Sequence, residues 1–267
     1  MEFETVIYEK KGHIAYLTLN RPQMLNALSP HMSGEMYQAW KDIKADSNIR
    51  VVVLTGAGER AFSSGMDVRA RTATGKPEMD PEVRFAESFG RLRVTARQND
   101  CFKPVITAVN GMVVGGGLHL VTDTDICICS ENATFFDTHL ELGLMITGEI
   151  LDLHRRGVPL ERLMRMALLG KKERMDAQEA LRLGIVSQVV PLKELMPTAT
   201  GLAEIVAEMP PVPTQLSVEA IWRAVYSGDE DAKTAAGILN RYNLRGSEAT
   251  EGLMAFAQKR KPEFGEK

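Results

Sequence analysis

With 267 residues, 44% hydrophobic and 25% charged side chains and a net charge of −3, the chain has the composition of an ordinary soluble globular protein, long enough for one large domain or one domain with an appendage. That slightly acidic balance, without any Lys/Arg-rich block, excludes nucleic acid as the main partner. No apolar stretch is long enough to span a membrane and the acidic start Met1-Glu2-Phe3-Glu4 has no signal-peptide core, so a cytoplasmic protein is expected.

Val6 to Tyr8 and Ile14 to Leu19 read as strands joined in a hairpin at Lys10-Lys11-Gly12. Ser29 is placed to cap an amphipathic helix from about Pro30 to Asp46, with Met32, Met36, Ala39, Trp40 and Ile43 on one side. Val51 to Gly56 is a strand buried on both faces, and Ala61 to Asp67 is a small-residue loop. A polar connection over Thr72 to Pro81 and a helix over Glu82 to Asp100 are expected before the apolar run Val105 to Val109. Cys101, Cys127 and Cys129 are odd in number, and the last two lie in a strand-like apolar run, which fits reduced buried thiols. Strands alternate with helices to about residue 190, the mark of an α/β domain. From 191 to 267 the chain is helical: Leu192 to Glu208, Thr214 to Tyr226 after the proline-rich Pro210 to Pro213, Asp231 to Arg245, and Glu248 to Arg260. Apolar faces on each of these helices must dock on their own core or on another subunit.

Between strand and helix lies Asn110-Gly111-Met112-Val113-Val114-Gly115-Gly116-Gly117-Leu118-His119, with the helix expected over about Gly116 to Val121. Glycine lets a ligand approach the main chain closely, and a helix start offers unpaired N–H groups and partial positive charge. Such a turn suits a phosphate, or a carbonyl oxygen that becomes an oxyanion, or else is only a tight packing joint.

The set Asn20-Arg21-Pro22 with Leu25-Asn26-Ala27-Leu28, Ala61-Phe62-Ser63-Ser64-Gly65-Met66-Asp67, Ala108 to Gly117, and Ala133-Thr134-Phe135 with Leu142-Gly143-Leu144 resembles the crotonase (enoyl-CoA hydratase/isomerase) superfamily. Ala177-Gln178-Glu179-Ala180 with Leu183-Gly184-Ile185-Val186, and Ser247-Glu248 with Glu251-Gly252 and Ala255-Phe256, continue the resemblance. It implies an α/β spiral of β-β-α turns over 1–190, a helical trimerisation region over 191–267, and a homotrimer or dimer of trimers. It also implies a coenzyme A thioester as substrate, with no separate cofactor, and the N–H groups of Met66 and Gly116 aimed at the thioester oxygen. Arg21, Ala27, Ser64, Met66, Asp67, Lys259 and Lys261 are implied contacts of coenzyme A, with Arg21, Arg69, Lys259 and Lys261 as the cations for its phosphates; Asp67 most simply fixes its own loop.

Two positions depart from the pattern. Hydratases of the family carry one glutamate two residues after the glycine triplet and another in a P-E-hydrophobic-x-L-G segment; this chain has His119 and His139 there. Three residues after Gly116, His119 shares its helical face, and the positive dipole end favours the neutral imidazole, a base. Glu149 stands where the family has a glycine-rich turn; it either reaches the site to orient an imidazole or serves as the acidic first turn of a helix over Glu149 to Arg155. Glu141 is the other nearby acid. Neither Asp137 nor Glu141 beside the histidines gives a recognised metal spacing, and no metal is expected. Two imidazoles serve as proton carriers for an enolate if one is neutral and the other charged. Hydration of an enoyl thioester, hydrolytic carbon–carbon cleavage of a β-keto or cyclic diketone substrate, and a non-catalytic acyl-CoA binder remain open.

Overall fold

The computed structural model describes residues 2–72, 93–146, 148–226, 237–243, 245–258 and 260–264. Among the described residues ten strands form two sheets, one of six strands ordered β1-β2-β3-β5-β7-β10 and one of four ordered β4-β6-β8-β9. In the larger sheet β1 (Val6–Lys11) and β2 (Ile14–Leu19) make the antiparallel hairpin, and β3 (Val51–Gly56), β5 (Val105–Val109), β7 (Ile126–Ser130) and β10 (Gln188–Val190) follow in parallel. The smaller sheet holds β4 (Ala61–Ser63), β6 (Met112–Val114) and β8 (Thr134–Phe136), all parallel, with β9 (Met175–Asp176) antiparallel at the edge. Successive strand pairs β3/β4, β5/β6 and β7/β8 place one strand in each sheet, which is the expected spiral.

Both faces of the larger sheet are covered, and β3 and β5 are accordingly buried throughout and apolar but for Thr55 and Thr107. On one face the core is built by Leu17, Leu19, Leu54, Val105 and Val109 against α1 (Pro30–Ala45) and the smaller sheet. The Ser29 hydroxyl caps α1 by accepting from Met32 N–H at 3.1 Å, and buried Trp40 donates to the Val94 carbonyl at 2.9 Å. On the other face Ile14, Val53, Ile106 and Ile128 meet Leu195, Ala199 and Ala203 of α7 (Leu192–Ala207), so the first helix of the tail is part of the core.

Between these lie α2 (Val68–Thr72), α3 (His119–Thr122), α4 (Gly148–Arg155), α5 (Leu160–Leu169) and α6 (Ala177–Arg182). The tail continues with α8 (Pro211–Tyr226), helical residues 237–243 and α9 (Ser247–Gln258). α8 starts earlier than expected because Pro211 and Pro213 fall in the first turn, where no N–H needs an intrahelical partner. The expected connection over 72–81 is helical at Thr72 and otherwise lies outside the described residues. So do residues 82–92 of the expected helix, while 93–100 hold only a 3₁₀ turn at Arg97–Asn99. Among the described residues no helix is long and apolar enough to cross a membrane.

Candidate active site

Parallel strands present their carboxyl ends on the same side, and the smaller sheet uses this to gather the site. Ser63 of β4 lies beside Val113 of β6, and Val114 beside Phe136 of β8. The chain therefore leaves three neighbouring strands at Ser64-Gly65-Met66, at Gly115-Gly116 and at Asp137-Thr138-His139.

The first loop is held from outside. Ser64 N–H donates to the Leu25 carbonyl at 2.9 Å, and Leu28 and residues 65–67 exchange backbone bonds of 2.8 and 3.1 Å. Asp67 accepts from Ala70 N–H at 3.0 Å and from the Arg21 guanidinium at 2.9 Å, which also donates to the Ala27 carbonyl at 2.7 Å. Burial pushes the Asp67 pKa up, but these donors outweigh it and the net displacement is downward. Asp67 thus fixes its loop as expected. Arg21, expected as a phosphate cation, is part-buried here and braces this loop through Nη1. Fully buried Asn26 completes the frame, its amide donating to the Ala57 and Ala61 carbonyls at 3.0 and 2.9 Å.

Within this frame the Met66 N–H has no protein acceptor among the described residues. Gly65 has φ +82°, and a Cβ there would lie 2.6 Å from the Val114 carbonyl and 3.1 Å from Gly116 N. A Cβ on Gly116 would lie 3.5 Å from Met66 N and 3.2 Å from Met66 Cγ. Glycine at 65 and at 116 thus lets the two loops approach closely at the main chain of Met66 and Gly116. The glycine triplet is a 3₁₀ turn, Gly115–Leu118, rather than the start of an α-helix; α3 begins one residue later, at His119. The leading amides of such a turn have no partner inside it.

His119, His139 and Glu149 converge. His119 Nε2 is 3.2 Å from Glu149 Oε1, and His139 Nε2 is 3.9 Å from the same oxygen. Glu149 is also the acidic residue in the first turn of α4. Burial would raise its pKa, yet the hydrogen bond and charge of His119, its own backbone N–H and the field of His139 bring it down to about 2. Burial likewise opposes charge on His119, but Glu149, helped by Asp123 and Asp152, leaves its pKa raised. The dipole argument for a neutral His119 therefore fails: α3 is only four residues long, and a carboxylate at 3.2 Å outweighs it.

His139 has a partner that sequence reasoning cast only as a metal ligand. Asp137, wholly buried, accepts His139 N–H on Oδ1 at 2.7 Å and faces Nδ1 with Oδ2 at 2.8 Å. That bond raises the His139 pKa above its ordinary value against a lesser effect of burial, and the charges of Asp137 and Glu149 add to it. Acid two residues before histidine at a strand end was the available signal. The described residues contain no group of three or more His, Cys, Asp or Glu disposed to hold a metal ion.

Other singled-out residues lie apart. Glu141 pairs with Lys171 at 3.0 Å, Lys261 with Glu208 at 3.5 Å, and Lys259 falls outside the described residues. His13 and His154 bond to backbone carbonyls, and His31 faces Glu4 and Glu35.

A family model described as enoyl-CoA hydratase/isomerase matches residues 9–267. The chain belongs to the enoyl-CoA hydratase/isomerase family. It is 34% identical over 264 residues to an (E)-benzylidenesuccinyl-CoA hydratase of Thauera aromatica, covering 97% of this chain and 98% of that one. Against a carnitinyl-CoA dehydratase of Proteus mirabilis it is 36% identical over 262 residues, 95% of each. A crystal structure of an enoyl-CoA hydratase/isomerase from Mycobacterium paratuberculosis superposes with a TM-score of 0.85 at 39% identity, over 98% of this chain and 99% of that one. In this crotonase frame Met66 and Gly116 follow the ends of β4 and β6, and His139 lies against Gly115, the residue before Gly116.

Proposed function

We propose that the protein adds water to, or removes it from, the double bond of an enoyl-CoA thioester through an enolate, with His119 and His139 as the proton carriers. The observation that carries this reading is the shared Glu149 oxygen, faced by Nε2 of both imidazoles beside the paired amides of Met66 and Gly116. A water ~2.8 Å from both His139 Nε2 and Glu149 Oε1, which are 3.9 Å apart, subtends about 90°, near the angle between its own hydrogens. Neutral His139 takes one water proton as the oxygen bonds to the β-carbon, and the π electrons move onto the thioester oxygen. The Met66 and Gly116 N–H groups stabilise that oxygen's charge, each being worth about 2.7–4 kcal/mol of barrier. Charged His119, balanced by Glu149, returns a proton to the α-carbon. Hydratase and dehydratase names among the relatives support this class of reaction.

The test is turnover of crotonyl-CoA, followed by loss of the conjugated-thioester absorbance. Activity is expected in the wild type and absent in His119→Ala and His139→Ala. The Asp137–His139 pair favours a second reading, in which an imidazole-activated water attacks the ketone of a β-ketoacyl or cyclic diketone substrate and the departing enolate enters the same hole. Mass spectrometry separates the two, since cleavage yields two fragments and hydration one adduct. Tight coenzyme A binding without turnover of either panel would leave a non-catalytic binder. Three free, buried cysteines support a reducing, cytoplasmic setting, and the exposed apolar tail supports a homotrimer or dimer of trimers.

A further inference from the structure

The geometry points to Asp137 as a positioning residue that fixes the proton of His139 on Nδ1 and so makes Nε2 the reactive nitrogen. The inference rests on the reading of His139 as a proton carrier and names what sets its tautomer. An ionised carboxylate only accepts hydrogen bonds. Asp137 is wholly buried between β8 and the turn that follows, and both its oxygens face His139: Oδ1 takes the backbone N–H at 2.7 Å, Oδ2 lies 2.8 Å from Nδ1. Nδ1 must therefore carry hydrogen, and in the neutral ring the lone pair sits on Nε2.

Gly115 allows this ring position. Its φ is +48°, and a Cβ there would stand 3.2 Å from His139 Cε1 and 3.8 Å from Asp137 Oδ2. The imidazole thus lies against the residue that precedes Gly116, with Nε2 3.9 Å from Glu149 Oε1 of α4. The charged groups facing the ring are Asp137 from its own segment and Glu149 from α4, with His119 of α3 against the same Glu149 oxygen. Asp137 and Glu149 act at opposite nitrogens. Asp137 sets which nitrogen holds the permanent proton, and Glu149 faces the one that exchanges it.

Asp137→Asn tests this with an isosteric change. The backbone N–H of residue 139 cannot give up its proton, so the amide must offer it Oδ1 and turn its NH₂ toward Nδ1. The ring then has to accept at Nδ1 and carry hydrogen on Nε2, the inverted tautomer. Nitrogen-15 NMR of the substrate-free protein, above the His139 pKa, is expected to show Nδ1–H in the wild type and Nε2–H in the variant. Turnover of crotonyl-CoA should fall on the order of 10²-fold or more. The acid limb of its residual pH profile should move to lower pH, since a raising charge is gone. Neutral wild-type His139 protonated on Nε2 would overturn the proposal even if the variant fails to fold. An Asp137→Asn protein with unchanged turnover and pH profile would do the same. Should the tautomers behave as expected while the wild type turns over no thioester, the positioning role stands and the reading of the reaction falls.

Discussion

Glu149 keeps a negative charge where burial alone would neutralise it, and the partner responsible is an imidazole 3.2 Å away. Removing one member of such a buried pair leaves the other uncompensated, at a cost of about 3–5 kcal/mol. Glu149→Gln should therefore destabilise the protein most where His119 is charged. A raised histidine pKa contributes stability that is complete below about 6.5 and fades as pH rises through the folded value. The lowered Glu149 pKa contributes stability present above 4.5 and lost as pH falls toward about 2. Denaturant titrations of both proteins are accordingly expected to differ more at pH 6 than at pH 9, and a pH-independent difference would sink the ion-pair account. The same raised histidines place the acid limb of kcat/KM above pH 6.5, because the base must be neutral to act. An acid limb below that value would point to a carboxylate base. At this scale the resemblance to the crotonase superfamily singled out the two histidines and the two amides. The Arg21 brace was not legible in the sequence, since it depends on which loops the fold brings together, whereas the Asp137 partnership had its signal in an acid two residues before His139.

Strand and helix ends do the assembling, so the element scale is where small residues matter most. Gly148 opens α4, and a Cβ there would stand 3.1 Å from His119 Cε1, tighter than ordinary contact. Alanine favours a helix over glycine by about 0.5–1 kcal/mol, which offsets much of the crowding in the fold but none of it at the ring. Gly148→Ala is thus expected to melt within a few degrees of the wild type while losing at least about tenfold in kcat/KM, because His119 is pushed off Glu149. Unchanged activity would show that the ring has room to spare. Gly116→Ala meets Met66 Cγ at 3.2 Å and Met66 N at 3.5 Å, and should abolish turnover more completely by filling the space between the amides. Most elements could be read from periodicity and caps: Ser29 before α1, the largely apolar runs of β3 and β5, the hairpin at Gly12. The glycine triplet was harder, because a four-residue 3₁₀ turn and a four-residue helix have no periodicity to display.

At the scale of the whole molecule the order of motifs along the chain carried the fold, since each spiral turn has its own signature and the turns stack in sequence. What a single chain's sequence does not display is which apolar faces stay uncovered. α7 closes the core, yet beyond it Ile221 is 64% exposed, Ile238 62%, Tyr242 68% and Leu253 70%. Large apolar side chains so exposed, on successive helical segments, exceed the scattered ones normal for a monomer. Leu142, Leu144, Met145 and Leu151, just beyond His139 and around Glu149, are also at least half exposed, so partner copies would cover surface close to the site. Sedimentation equilibrium at micromolar concentration should therefore give three or six times the 29.5 kDa chain mass. Leu253→Glu combined with Tyr242→Glu should lower that mass, because a charge buried at an interface without a partner costs several kcal/mol. If the site depends on neighbouring copies, activity should fall in parallel with the mass. A wild type that sediments as a monomer at full activity would mean that these faces serve something other than self-assembly.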